Sequence, residues 1–191
     1  SSGITAIVQQ PGHGGLQPAL RAGRAVPSSQ LDQPARRDLA RLLAAQAELT
    51  TTYELPGDAL PLLNEAIELD PQPKYYALRV EARELPNSAA QLAAYKQDVE
   101  NAVRDPAHLP VYGRLGDRLL EYSREQPLIE RQTLLIESIE AYTQAIAALS
   151  ERPERRSDLT RHLVSRSSAQ LEWANMVQQL SGERTFDLPK R

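Results

Sequence analysis

Cysteine is missing from the 191 residues. Its absence excludes disulfides and thiolate metal sites, and it leaves the compartment open. Aromatic side chains are few, with one Trp, one Phe and seven Tyr, so any core must rest on aliphatic and alanine contacts. No run of about 18 apolar residues occurs, so no transmembrane segment is expected. A strong charge of either sign is missing too. The net charge of −3 gives no reason to expect a nucleic-acid or anionic-membrane partner.

Catalytic fingerprints are also lacking. There is no GxSxG, HExxH, P-loop or dinucleotide motif. His13, His108 and His162 stand in three unrelated contexts, with no partner at i, i+4, and each reads as a solvated or capping residue rather than a metal ligand or base. Gly12-His13-Gly14-Gly15 has the composition of an oxyanion-hole loop, but no strand precedes it and no nucleophile elbow occurs elsewhere, so a flexible turn is expected. Glu130, Glu137 and Glu140 read as a solvated helix face. The sequence therefore predicts no enzyme, no cofactor and no metal.

What is present is helical texture after a different opening. Residues 1–34 hold five of the nine Gly and four of the fourteen Pro, and an irregular arm or tether is expected there. Its only β-like run is ITAIV at 4–8, and the arm is expected to lend the rest little stability. The first residue is not Met, so Ser1-Ser2-Gly3 reads either as a tag remnant or as the residues just after the lipidated Cys of a bacterial lipoprotein. Arg outnumbers Lys 19 to 3, which hints at a GC-rich bacterial genome and leaves cytoplasm and periplasm both open.

From Pro34 the chain reads as helix after helix. Over 35–53, Leu39, Leu42, Leu43, Ala47 and Leu49 trace one stripe, with Arg36, Arg37 and Arg41 outside it. Thr50-Thr51-Thr52 should fray its end. In DALPLLNEAIELDP, residues 58–71, the small/large/small stripe Ala59, Leu63, Ala66 shares one face. Asp58 can cap the start, and Asp70-Pro71 ends the helix. YYALRVEAREL at 75–85 stops at Pro86, and Ser88 with Gln91 forms a capping box for a helix striped by Leu92, Tyr95, Val99 and Ala102. NAVRDP at 101–106 echoes NEAIELDP at 64–71, two residues shorter. After Pro110 come Tyr112, Leu115, Gly116 and Leu119, with Gly116 expected where a neighbouring helix crosses closely. A long helix over 127–150 carries the seam Leu128, Leu135, Ile139, Tyr142, Ile146, Leu149. Beyond Pro153 a last helix runs to about Leu180, with Leu159, Leu163, Leu171, Ala174 and Val177 inward, Arg161, Arg166 and Gln170 outward, and Gly182 as terminator.

The stripe ending in Asp-Pro, the echo about 36 residues later and the Tyr-x-x-Leu-Gly-x-x-Leu spacing at 112–119 resemble the tetratricopeptide repeat (TPR), in a divergent form. The resemblance covers roughly residues 38–150. It implies an all-α helix-turn-helix solenoid of about three pairs plus a C-terminal capping helix, spanning 35–182, with a frayed tail at 183–191. A non-repetitive helical bundle, with an activity that leaves no motif, is the alternative architecture. The resemblance also implies that the first helix of each pair lines a groove for a partner protein's peptide or helix. Carried onto this sequence, the partner-binding residues are Tyr76, Val80, Arg83 and Glu84 in the second pair and Gly113, Asp117, Leu120 and Glu121 in the third, with Val80 and Leu120 equally readable as packing residues. The Lys/Asn pattern by which chaperone-binding TPRs clamp a terminal carboxylate is absent. The expected function is a protein–protein interaction scaffold, with a bacterial envelope assembly as one setting. The alternative is a homo-oligomeric structural subunit that self-associates through the 127–150 helix. Residues 1–41 carry five Arg against two Asp, whereas 48–100 carry ten acidic and four basic residues, so the basic arm can fold onto the acidic middle or a partner's basic segment can bind there.

Overall fold

The computed structural model describes residues 13–53 and 56–185, and among them there are eight α-helices and no strand. The protein is all-α. It divides into two compact units, residues 1–84 with 100–108 and residues 85–99 with 109–191. ITAIV, Ser1-Ser2-Gly3 and the last six residues of the tail lie outside the described residues.

In unit 1 the helices are α1 (His13–Arg24), α2 (Gln33–Tyr53), α3 (Leu60–Leu69) and α4 (Pro73–Ala82). The expectation of an irregular opening fails over α1, whose first turn also takes up His13-Gly14-Gly15. Ala19 and Leu20 are buried in one cluster with Leu39, Ala40, Leu43, Ala66 and Tyr75, so α1 belongs to the core. Glycine composition misled because Gly23 serves close approach: a Cβ there would stand 2.7 Å from Leu39 Cδ1. The Arg24 guanidinium also grips the Glu65 carboxylate through two hydrogen bonds, which sets the basic arm on the acidic middle.

Asp32 starts α2 by accepting from the Ala35 N–H at 2.9 Å. The threonines do not end it. Thr50, Thr51 and Thr52 donate to the carbonyls four residues back at 3.0, 2.9 and 2.8 Å, and the helix runs through them to Tyr53. Asp58 does not cap α3 either. It lies in a 3-10 turn over Pro56–Ala59, and Ala59 is the N-cap without a side-chain bond. The stripe itself is as read: Ala59, Leu63 and Ala66 are buried, and Ala59 and Leu63 share a cluster with Ala47 and Ala82. Asp70 ends α3 in an extended conformation. Helix α4 stops at Ala82, short of Leu85, because Arg83 turns extended (φ −70°, ψ 138°).

Unit 2 holds most of α5 (Ala89–Ala102), then α6 (Tyr112–Ser123), α7 (Leu128–Ser150) and α8 (Arg156–Thr185). Residues 100–102 of α5 fall in unit 1. Ser88 and Gln91 cap α5 together: Gln91 N–H donates to Ser88 Oγ at 3.3 Å, and Gln91 Oε1 accepts from the Asn87 N–H at 2.9 Å. The four-residue turn Arg124–Pro127 folds α6 and α7 into a hairpin, and α8 packs on both. Gly116 sits where α7 crosses α6, since a Cβ there would lie 2.8 Å from two atoms of the Tyr142 ring.

Helix α8 departs most from its expected face. Leu163, Leu171 and Ala174, expected inward, are exposed. The inward side carries His162, Ala169 and Met176, flanked by half-buried Arg166, Glu172, Trp173 and Leu180. The apolar residues of α8 do not share one face, so apolarity alone cannot set its rotation. Gly182 does not terminate it; the helix continues to Thr185. No helix among the described residues is long and apolar enough to cross a membrane.

Candidate partner-binding surfaces

The eight residues carried over from the resemblance fall in different surroundings. In unit 1, Tyr76 is half-buried, with the Arg79 guanidinium 5.4 Å from its ring centre. Val80 is buried, because α4 packs against both α2 and α3. Arg83 and Glu84 lie past the end of α4 and hold no helical register. In unit 2, Gly113 and Leu120 are buried, because α6 is covered by α7 and also by α8. Asp117 accepts from the Tyr142 hydroxyl at 2.8 Å, and exposed Glu121 faces Arg118 at 3.6 Å. Val80, Gly113 and Leu120 therefore offer no side-chain surface to a partner. Asp117 holds α6 to α7, and Tyr76, Arg83, Glu84 and Glu121 remain accessible.

His162 corrects the expectation of a solvated histidine. It is 2% exposed, and its ring lies so close over the Gly113 backbone that a Cβ at 113 would overlap it. The Tyr142 ring stands 6.0 Å away, centre to centre. Nδ1 has no hydrogen-bond partner among the described residues, and Arg161 Nη2 lies 3.5 Å from Nε2. Burial pushes the imidazole pKa down, Arg161 pushes the same way, and Asp117 and Asp158 oppose them. Burial thus favours the neutral form of this packed ring. Among the described residues no three His, Asp or Glu side chains gather as a metal site.

A second polar set ties α8 to the α6–α7 hairpin. Glu172 meets Arg124 at 2.7 Å and Arg131 at 3.1 Å. Burial raises the Glu172 pKa, but the hydrogen bonds and charges of the two arginines outweigh it and hold the carboxyl below its ordinary range.

The open apolar surface in unit 2 lies elsewhere than on first helices. A cleft of about 550 Å³ runs between α5 and the start of α7, floored by Leu92, Ala93, Tyr122 and Leu134. Ile129 stands at its mouth, 85% exposed, and Lys96 and Glu130 give it a rim of both signs. None of the eight carried-over residues lines it. The signal was available: Ile129 is a large aliphatic one position off the α7 seam, where a helix otherwise places polar residues. In unit 1 a second cleft, of about 500 Å³, lies between α2 and the α3–α4 turn, beside Arg37, Arg41 and Lys74.

No protein-family model matches the sequence, and no curated protein matches it.

Proposed function

We propose that the chain is an interaction module whose unit 2 takes up the apolar face of a partner protein's helix. Ile129 carries this reading. Burying such a side chain is worth about 1.5–3 kcal/mol, and here it stands in water at the mouth of an apolar cleft. A docked helix would cover it, and rim charges of both signs suit the polar flanks of an amphipathic segment. The wider reading is a divergent TPR-like repeat. It is supported by Ala59, Leu63, Ala66 in α3 and Ser138, Tyr142, Ala145 in α7, which bury the same small/large/small pattern in one helix of each unit. On this reading the partner surface lies along second helices, α5 and α7, rather than first ones. A photo-crosslinking residue in place of exposed Thr133, used in native lysate, should label an amphipathic helical segment, and Ile129→Asp should abolish the label. Labelling that survives Ile129→Asp, or that falls on a segment without an apolar face, would sink the reading.

Self-association is the second reading, and one observation moves it from α7 to α8. The α7 seam is covered by α6 and α8 except at Leu128. On α8 the exposed strip Thr160, Leu163, Val164, Ser167, Leu171, Ala174, Gln178 carries no charge. Sedimentation over a concentration series, repeated with Leu171→Glu, distinguishes this reading from the first.

A further inference from the structure

The cleft of unit 1 differs in chemistry from the apolar cleft of unit 2 and is argued independently of it. Arg37, Arg41, Ala44 and Ala45 fall at spacings of four, three and one, so α2 presents them on one face. The opposite wall comes from the α3–α4 turn, with Asp70, Gln72, Lys74 and Tyr75. Three cationic heads thus share the lining with one carboxylate, three minus one, a net of +2. That carboxylate is already engaged: Asp70 is buried, and both its oxygens accept from Gln72 Nε2 at 3.1 Å.

The cations are available. Arg37 is exposed and has no ion-pair partner among the described residues. Arg41 reaches Asp38 at 3.5 Å and Lys74 reaches Glu48 at 3.4 Å, with the basic side chains 66% and 58% exposed. The Lys74–Glu48 pair, exposed on both sides, holds by no more than about 1 kcal/mol, and the Arg41–Asp38 pair, whose Asp38 is 17% exposed, is long at 3.5 Å, so a ligand carboxylate can compete for both cations. Asp38 and Glu48 are not among the cleft-lining residues, whereas Arg37, Arg41 and Lys74 are. The floor is apolar, from Ala44 and the buried Tyr75. A volume of about 500 Å³ lies within the range that holds small ligands or a few peptide side chains.

We propose that this cleft binds an acidic peptide segment, with two neighbouring carboxylate side chains on Arg37, Arg41 and Lys74 and the intervening chain over Ala44 and Tyr75. Two carboxylates match the net charge of the lining, and guanidinium forks hold them bidentately. Fluorescence anisotropy on the full chain, with a labelled glutamate-rich hexapeptide and its glutamine counterpart, tests this. The expected result is saturable binding of the glutamate peptide at low salt and about tenfold weaker binding of the glutamine peptide. Raising salt to about 0.5 M should weaken the glutamate peptide strongly. Arg37→Glu with Arg41→Glu should abolish binding while the circular dichroism melt stays unchanged. If that double variant unfolds, Arg37→Gln alone must still weaken the peptide several-fold, since Arg37 makes no ion pair among the described residues. Ile129→Asp should leave this binding intact, which separates its failure from failure of the helix-docking reading. Equal binding of the two peptides, or full binding by the arginine variants, would overturn the proposal. So would displacement by inorganic phosphate at the peptide's own concentration, which would make the cleft a phosphate site.

Discussion

The two units handle buried polarity differently. In unit 1 the buried polar side chains are served by near neighbours: Thr50 donates to the Gln46 carbonyl and Asp70 accepts from Gln72. Between its helices the core is alanine and leucine with one tyrosine, Tyr75, and one valine, Val80. In unit 2 Ser123 is also served locally, by the Leu120 carbonyl, but further polar groups cross from helix to helix. Ser138 Oγ donates to the Gly116 carbonyl at 2.9 Å, the Tyr142 hydroxyl donates to Asp117, and Glu172 bridges to Arg124 and Arg131. Apolar contacts are non-directional and tolerate repacking, whereas a cross-helix hydrogen bond fixes rotation and register but leaves an unpaired group when one side is removed. Unit 1 should therefore fail by loss of volume, and unit 2 by loss of individual bonds and by acid.

The largest effect should come from placing a charge in the apolar core. Leu63 is fully buried with Ala47, Ala59 and Ala82 around it, and nothing there can pair with a carboxylate. Leu63→Asp should cost about 4 kcal/mol or more. Hydrogen exchange would show unit 1 losing protection, and an unchanged melt would contradict the core described here.

Next comes the helix crossing of unit 2. Gly116→Leu must push against the Tyr142 ring, which is itself held by Asp117. Overpacking of this kind costs about 1–3 kcal/mol, while replacing a mid-helix glycine returns at most about 1 kcal/mol. A net loss is expected in thermal or urea unfolding, and Gly116→Ala should lose less. A smaller and more diagnostic contrast is Tyr142→Phe against Thr50→Val. The first strands Asp117 and should cost about 1–2 kcal/mol. The second removes only a bond within α2 and should cost well under half as much. Equal losses would erase the distinction between the units.

These particulars also mark what was legible beforehand. Helices with a single apolar face could be read directly: Ala59, Leu63 and Ala66, or Leu92, Tyr95 and Val99, recur at three and four and are buried. Gly116 could be read because a mid-helix glycine needs a reason. Helix α1 could not, because Gly and Pro were weighed as breakers when Gly23 admits Leu39 and Ala19 and Leu20 supply the burial. Nor could the face of α8, since it buries His162 and half-buries Arg166 and Glu172 while exposing Leu163 and Leu171. Among the carried-over residues, Val80, Gly113 and Leu120 are buried, each on a helix covered by two neighbours rather than one. The number of neighbours around a helix is a tertiary fact that one-dimensional spacing does not encode.

The smallest expected effect, and the sharpest test of the contrast, is pH. His162 is faced by Arg161 and Asp158 from α8, Arg114 and Asp117 from α6, and the Tyr142 ring from α7. Burial, then Arg161, holds its folded pKa below the ordinary value of 6.5. Between the folded and unfolded pKa the unfolded chain binds more protons, so stability rises with pH through that window. The contribution is fully present above about pH 6.5 and is lost as pH falls through the folded value. Glu172 adds a separate acid loss, which begins only as pH falls below its ordinary value of 4.5. Urea unfolding between about pH 7.5 and 5.5 should therefore show a decline to which His162 contributes. His162→Gln should flatten that decline even if it lowers stability overall, because it leaves nothing at this position to titrate. Hydrogen exchange over the same range should show protection falling in α6 and α8 and holding in α2 and α3. A decline that persists in His162→Gln, or one shared equally by α2 and α3, would place the acid sensitivity outside this buried ring.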